Sequence, residues 1–253
     1  MKRSICRPTY CCLILAGMFI AVPDLVRAEE SKWEQEVGQL LRKRDEKGAL
    51  EVLDGVTGAD RNSGTFHNLK GAVFTQIRDF ARAKAEFTLA LKLAGDDIRA
   101  GFHPKFNLAE LAFVTGDFEA AGEDFKSLLK APWRPIPKPG GRENSTIALL
   151  YFKVAVCQIR QAQNAEAAAT YRELKSLTIT EAKGAAEAVL AALDFEQKKV
   201  REATARLDNL STLVPQSEMD LYMDTYMEMG WLRPKPLKSA PPPPPKSAEE
   251  EET

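Results

Sequence analysis

The residues able to do chemistry are few. Two histidines, His67 and His103, are the only imidazoles in 253 residues, and three of the four cysteines, Cys6, Cys11 and Cys12, fall at the start, leaving Cys157 alone in the rest of the chain. A structural or catalytic metal needs three or four closely spaced ligands, so no metal site is expected. There is no Ser-centred elbow, no glycine loop to cradle a phosphate and no His-Glu-x-x-His word. Carboxylates such as Glu110, Glu119, Glu123 and Asp124 are numerous, but solvated helix faces account for them, and pairing any two as acid and base would be arbitrary. His103 precedes Pro104, where a helix is expected to begin. The sequence therefore leads to no catalytic residue, no cofactor and no enzyme. Cys157 sits in the apolar stretch Val154 to Ile159 and reads as a small buried hydrophobe, with an exposed reactive thiol as the alternative.

Charge narrows the partners. Lys plus Arg number 35 against 36 Asp plus Glu, without the basic excess that nucleic-acid binding requires. Met1 to Ala28 has the grammar of a secretory signal: Lys2, Arg3 and Arg7, then the apolar run Cys11 to Val22, then Val26-Arg27-Ala28 before Glu29. That run is shorter than the roughly twenty residues of a spanning helix, which favours cleavage near Ala28 over an uncleaved anchor. Leu15-Ala16-Gly17 is followed by Met18 rather than cysteine, so lipid attachment is not expected. Cleavage would leave 31 positive against 35 negative residues and one cysteine, a mildly acidic exported protein without an internal disulfide or an integral membrane span.

Residues 29–232 must then supply the fold. From Trp33 to Pro215 apolar residues recur at three- and four-residue steps, with no period-two strand. The segment Leu69-Lys70-Gly71-Ala72-Val73-Phe74, Asp79-Phe80, Ala83, Phe87, Ala90-Leu91 recurs as Leu108-Ala109, Gly116-Asp117-Phe118, Ala121, Phe125, Leu128-Leu129. Weaker copies run through Val154-Ala155, Ala167, Tyr171 and Leu174, and through Leu190-Ala191, Ala203, Leu207, Leu210 and Pro215, with another from Trp33 to Val56. The central small residues Ala49, Ala83, Ala121, Ala167 and Ala203 are spaced 34, 38, 46 and 36 apart. They must be small because the two helices of a pair approach closely there.

This pattern resembles the tetratricopeptide repeat (TPR) family, with its word of small and aromatic residues over about 34 positions. The resemblance covers Trp33 to Pro215 and implies an all-α, right-handed superhelical solenoid of stacked helix-turn-helix repeats. Its concave groove would be lined by each pair's first helix. A C-terminal capping helix is expected after Pro215, N-capped by Ser217 and ended by Gly230 and Pro234.

Placed on that scheme, the groove would carry Asn68, Ala72 and Thr75, then Phe106, Glu110 and Phe113, then Phe152, Val156 and Ile159, then Ala188, Ala192 and Phe195. Phe106, Glu110, Phe113, Phe152, Ile159 and Phe195 are the candidate contacts for a protein or peptide partner with an apolar or amphipathic segment; if buried, they are core. The set departs from family members that clamp a C-terminal carboxylate with basic residues. Met219, Tyr222, Met223, Tyr226 and Met227 form a second apolar face, suited to capping or to adaptable binding.

Between the repeats around Ala121 and Ala167, Pro132, Pro135, Pro137 and Pro139 hold a connector extended; Trp133 and Arg134 on it are either packed away or a partner contact. Residues 233–253 read as a Pro-rich, acidic, disordered tail, a spacer or a ligand for a proline-binding domain. The leading expectation is a periplasmic or secreted scaffold of a bacterial envelope. A structural spacer, self-assembling or membrane-tethered, is the alternative, and an enzyme gathering distant carboxylates a third.

Overall fold

The computed structural model describes residues 31–131 and 144–232, and every regular element in them is helical. The helices are α1 Lys32–Lys43, α2 Glu46–Gly55, α3 Gly64–Gln76, α4 Phe80–Ala94, α5 Ile98–Thr115, α6 Phe118–Leu129, α7 Asn144–Arg160, α8 Asn164–Ser176, α9 Thr180–Glu196, α10 Val200–Leu213 and α11 Gln216–Glu228, with one 3-10 turn at Asp60–Asn62. The chain is all-α. The leader, the proline connector with Trp133 and Arg134, and the tail lie outside the described residues. Among the described residues no helix is long and apolar enough to cross a membrane.

The first ten helices form five pairs, and one turn geometry closes each pair. Arg44, Arg78, Gly116, Ala162 and Lys198 all adopt positive φ, between 58° and 88°. The next residue donates its backbone N–H to the carbonyl five positions back: Asp45 to Leu40 at 3.0 Å, Asp79 to Phe74 at 2.8 Å, Asp117 to Ala112 at 2.9 Å, Gln163 to Gln158 at 2.8 Å and Lys199 to Asp194 at 2.8 Å. This left-handed stop satisfies the last carbonyls of the first helix, and the donating residue is already the N-cap of the second. Asp45, Asp79 and Asp117 also accept from the new helix, from the N–H groups of Gly48, Arg82 and Ala120. Gln163 and Lys199 make no such side-chain bond.

The small residues read from the sequence lie where the pairs close. Ala49, Ala83, Ala121, Ala167 and Ala203 stand on α2, α4, α6, α8 and α10, and all are fully buried. Two glycines permit still closer approach. A Cβ on Gly71 would lie 2.6 Å from the Phe87 ring, and one on Gly184 would lie 2.1 Å from Val214. Consecutive helices pack on one another, and α1 with α3, α3 with α5, and α7 with α9 meet across the pairs. Two apolar cores result, one running from Val37 on α1 to Leu111 on α5, the other from Phe102 on α5 to Tyr226 on α11.

Two helix boundaries differ from expectation. α5 begins at Ile98 rather than at Pro104, because the Asp97 carboxylate accepts from the N–H groups of Arg99 and Ala100 and starts the helix early. Pro104 then costs the hydrogen bond to the carbonyl of Ala100, an exposed residue. α11 begins at Gln216 with Pro215 as N-cap, so Ser217 lies inside the helix. Gly230, at φ 72°, ends it as expected.

Candidate functional site

The six groove candidates do not line an open surface. Phe106, Glu110, Phe113, Phe152, Ile159 and Phe195 are all buried. Phe106 meets Phe125 edge-on at 5.9 Å, and Phe113 meets Phe118 at 5.6 Å and Phe125 at 6.4 Å. These side chains fill the space between α5 and α6, so they are core of their own pair. Ile159 is core likewise, on the almost wholly buried α7. Of the remaining positions, Ala72, Val156, Ala188 and Ala192 are buried, and Asn68 and Thr75 are half-buried. Asn68 accepts from the Asn107 amide at 2.9 Å, tying α3 to α5.

Phe152 and Phe195 are covered by a different agent, α11. Tyr222 stands edge-on to Phe152 at 4.9 Å, and Tyr226 lies 5.9 Å from Phe152 and 5.6 Å from Phe195. The Tyr226 hydroxyl donates to the Ala188 carbonyl at 2.7 Å, which satisfies a polar tip that burial would otherwise orphan. Beyond the helix, Trp231 stacks on Phe195 at 6.2 Å and donates its indole N–H to Glu196 at 3.0 Å. At the other end Ser145 on α7 donates to Glu218 at 2.5 Å. α11 therefore lies across α7 and α9. The Met/Tyr face seen in the sequence is the face it buries, with Met219, Tyr222 and Tyr226 as its inward residues.

Charge is buried beside this helix. Lys153 on α7, its side chain 5% exposed, donates to Glu110 on α5 at 3.0 Å, and its ammonium lies 4.2 Å from the Phe113 ring centre. Glu228, the last residue of α11, is 4.0 Å from the same ammonium, and neither of its buried oxygens has a hydrogen-bond partner. Burial works to lower the Lys153 pKa, but Glu110 and Glu228 more than offset it, so the lysine is held charged above its usual range. Burial pushes the Glu228 carboxyl up to about 8, reinforced by Glu110 and Asp224 and opposed by Lys153. Asp224 is pushed up to about 6 by burial and by Asp220. Sequence reasoning placed Glu110 but missed Lys153, whose signal was a single cation in an otherwise apolar run from Ile147 to Cys157.

The remaining chemical residues are scattered. His67 pairs with Glu86 at 2.6 Å, and Lys70 holds the other oxygen of that carboxylate at 2.8 Å. His103 is exposed beside Phe102 on α5. Cys157 is buried, and burial raises its thiol to about 12, so it is no thiolate near neutrality. Glu119 and Glu123 are exposed, and Asp124 is half-buried. Among the described residues no group of three or more His, Cys, Asp or Glu is placed to hold a metal ion. Compared with known protein families, with curated proteins and with solved structures, the chain matches none.

Proposed function

We propose that the chain is an exported TPR-type scaffold of the cell envelope, a right-handed solenoid of five helix pairs whose inner face binds an amphipathic helix of a partner protein. The recurrence of one turn at Arg44, Arg78, Gly116, Ala162 and Lys198 supports the repeat reading. The same turn, with a buried small residue beyond it each time, is what five copies of one unit require. Export rests on the leader sequence of residues 1–28.

The observation that carries the binding reading is α11 itself. A helix with two tyrosines four residues apart is seated against Phe152 and Phe195, so this surface has the shape and apolarity of a helix acceptor. The partner would present the same chemistry: two aromatic residues one turn apart, with carboxylates toward Lys153. No catalytic role is proposed.

The reading is tested with the full chain carrying Tyr222→Ala and Tyr226→Ala, which strips α11 of its anchors. A fluorescent peptide of residues 215–232 should bind this variant with a Kd in the micromolar range, read by anisotropy, and should not bind the wild type. A folded double variant that ignores the peptide, with helicity checked by circular dichroism, would remove the helix-acceptor reading and favour the spacer.

A further inference from the structure

α11 brings to the α7–α9 face carboxylates that water would keep ionised. Its sequence holds Glu218, Asp220, Asp224 and Glu228 and no basic residue. The Glu228 side chain is 6% exposed, its oxygens lack hydrogen-bond partners, and the ammonium 4.0 Å away is already bonded to Glu110. Two carboxylates thus share one lysine. The groups facing Glu228 are Glu110 on α5, Lys153 on α7 and Asp224 one turn back on α11, with Arg44 at the α1–α2 turn acting on Asp224. On α9, Glu187 acts on Tyr226, while Glu196 is held by Arg160 of α7 and by Trp231. An ionised Glu228 here is a buried charge with a shared, distant partner, and a protonated one is not.

The mounting of α11 allows it to leave. Val214 is extended at φ −127° and ψ 151°, and Pro215 follows before the helix begins. Val214 is wedged into the space opposite Gly184, so the chain is pinned just before the helix. α11 owes its position to the side chains it lays on α7 and α9.

We infer that α11 is a proton-controlled cover for the α7–α9 face, docking more tightly as the solution acidifies and loosening as Glu228 gives up its proton. The consequence for a partner rests on the helix-acceptor reading above; the proton dependence of docking does not. Burial raises Glu228 and Asp224 and also Glu218, whose bond from Ser145 only partly opposes it. A carboxyl with a higher pKa docked than free takes up a proton on docking. Its contribution is complete below the free carboxylate range, and it fades as pH rises through the docked value, for Glu228 between its ordinary 4.5 and about 8.

The test is amide hydrogen exchange of the full chain, with protection factors corrected for intrinsic rates. From pH 6 to pH 8, protection of α11 should fall roughly tenfold or more in the wild type. In Glu228→Gln, a neutral stand-in for the protonated acid, it should fall less than threefold. Protection of α3 and α4 should hold in both. Constant α11 protection in the wild type, or an equal fall in both proteins, overturns the inference. If Glu228→Gln loses helicity, a carbon-13 titration of the wild-type Glu228 carboxyl decides instead: an apparent pKa near 4.5 overturns the proposal and one well above it sustains it. The peptide experiment reads binding in trans to a different variant, so either idea can fail without the other.

Discussion

The first three helix pairs and the portion from α7 onward are built from the same turn but finished differently. At Asp45, Asp79 and Asp117 the residue that ends one helix also caps the next with its carboxylate. At Gln163 and Lys199 the backbone repeats the turn without that bond. In the earlier portion the half-buried carboxylate Glu86 is fully paired: burial pushes it up, but Lys70 and His67 outweigh burial and hold it below its usual range. In the later portion Glu228 is left short of partners and pushed the other way. The early pairs close their turns with their own aspartate caps, whereas α7 and α9 are covered by a helix from the end of the chain. Helix pairs that share one turn need not be uniform in what stabilises them.

The most severe test of that contrast is Lys153→Ala. It leaves Glu110 buried without its cation and should cost about 3–5 kcal/mol in urea unfolding. Replacing Lys153 and Glu110 together by methionine should recover most of the loss; no recovery would mean the pair is not the cause. Next come the close approaches. Gly184→Ala drives a methyl into Val214 and Gly71→Ala drives one into Phe87, each costing about 1–3 kcal/mol. Gly184→Ala should in addition loosen α11, seen as faster exchange there, while Gly71→Ala should leave it unchanged.

Smaller effects belong to the turns. Asp117→Ala should lose about 1 kcal/mol by removing a cap, and Gln163→Asp should gain up to about 1 kcal/mol by supplying one. Equal and negligible shifts in Tm would show that the turns do not differ in strength. The gentlest probe is pH. Glu86, depressed in the folded state, stabilises α3 and α4 above pH 4.5, and that contribution is lost as pH falls through its folded value. α11 has the opposite sign. On acidification from pH 8 to pH 3, protection corrected for intrinsic rates should therefore rise in α11 first and fall in α3 and α4 last; the same direction in both would erase the distinction.

Much of the fold was legible because a repeated close approach forces a repeated small residue. Ala49, Ala83, Ala121, Ala167 and Ala203 are all fully buried, and their spacing is that of the five left-handed turns. The start of α5 was misplaced because Pro104 is a strong local signal and Asp97, six residues ahead of His103, a weak one that nevertheless makes two backbone bonds. Phe106 and Phe113 were assigned to a groove because seven-residue spacing places two residues on one helix face without saying what that face meets. It meets Phe125.

The sequence by itself determined the helices, the pairing and the acidic, amphipathic character of α11, because these follow from steps of three, four and roughly 34 residues along one chain. Only the tertiary structure decided which surface α11 covers, and that Lys153 lies between Glu110 and Glu228. Those three residues are 43 and 75 positions apart. No local periodicity records a meeting at that range; it depends on how the helix pairs stack and on where the chain turns at Pro215.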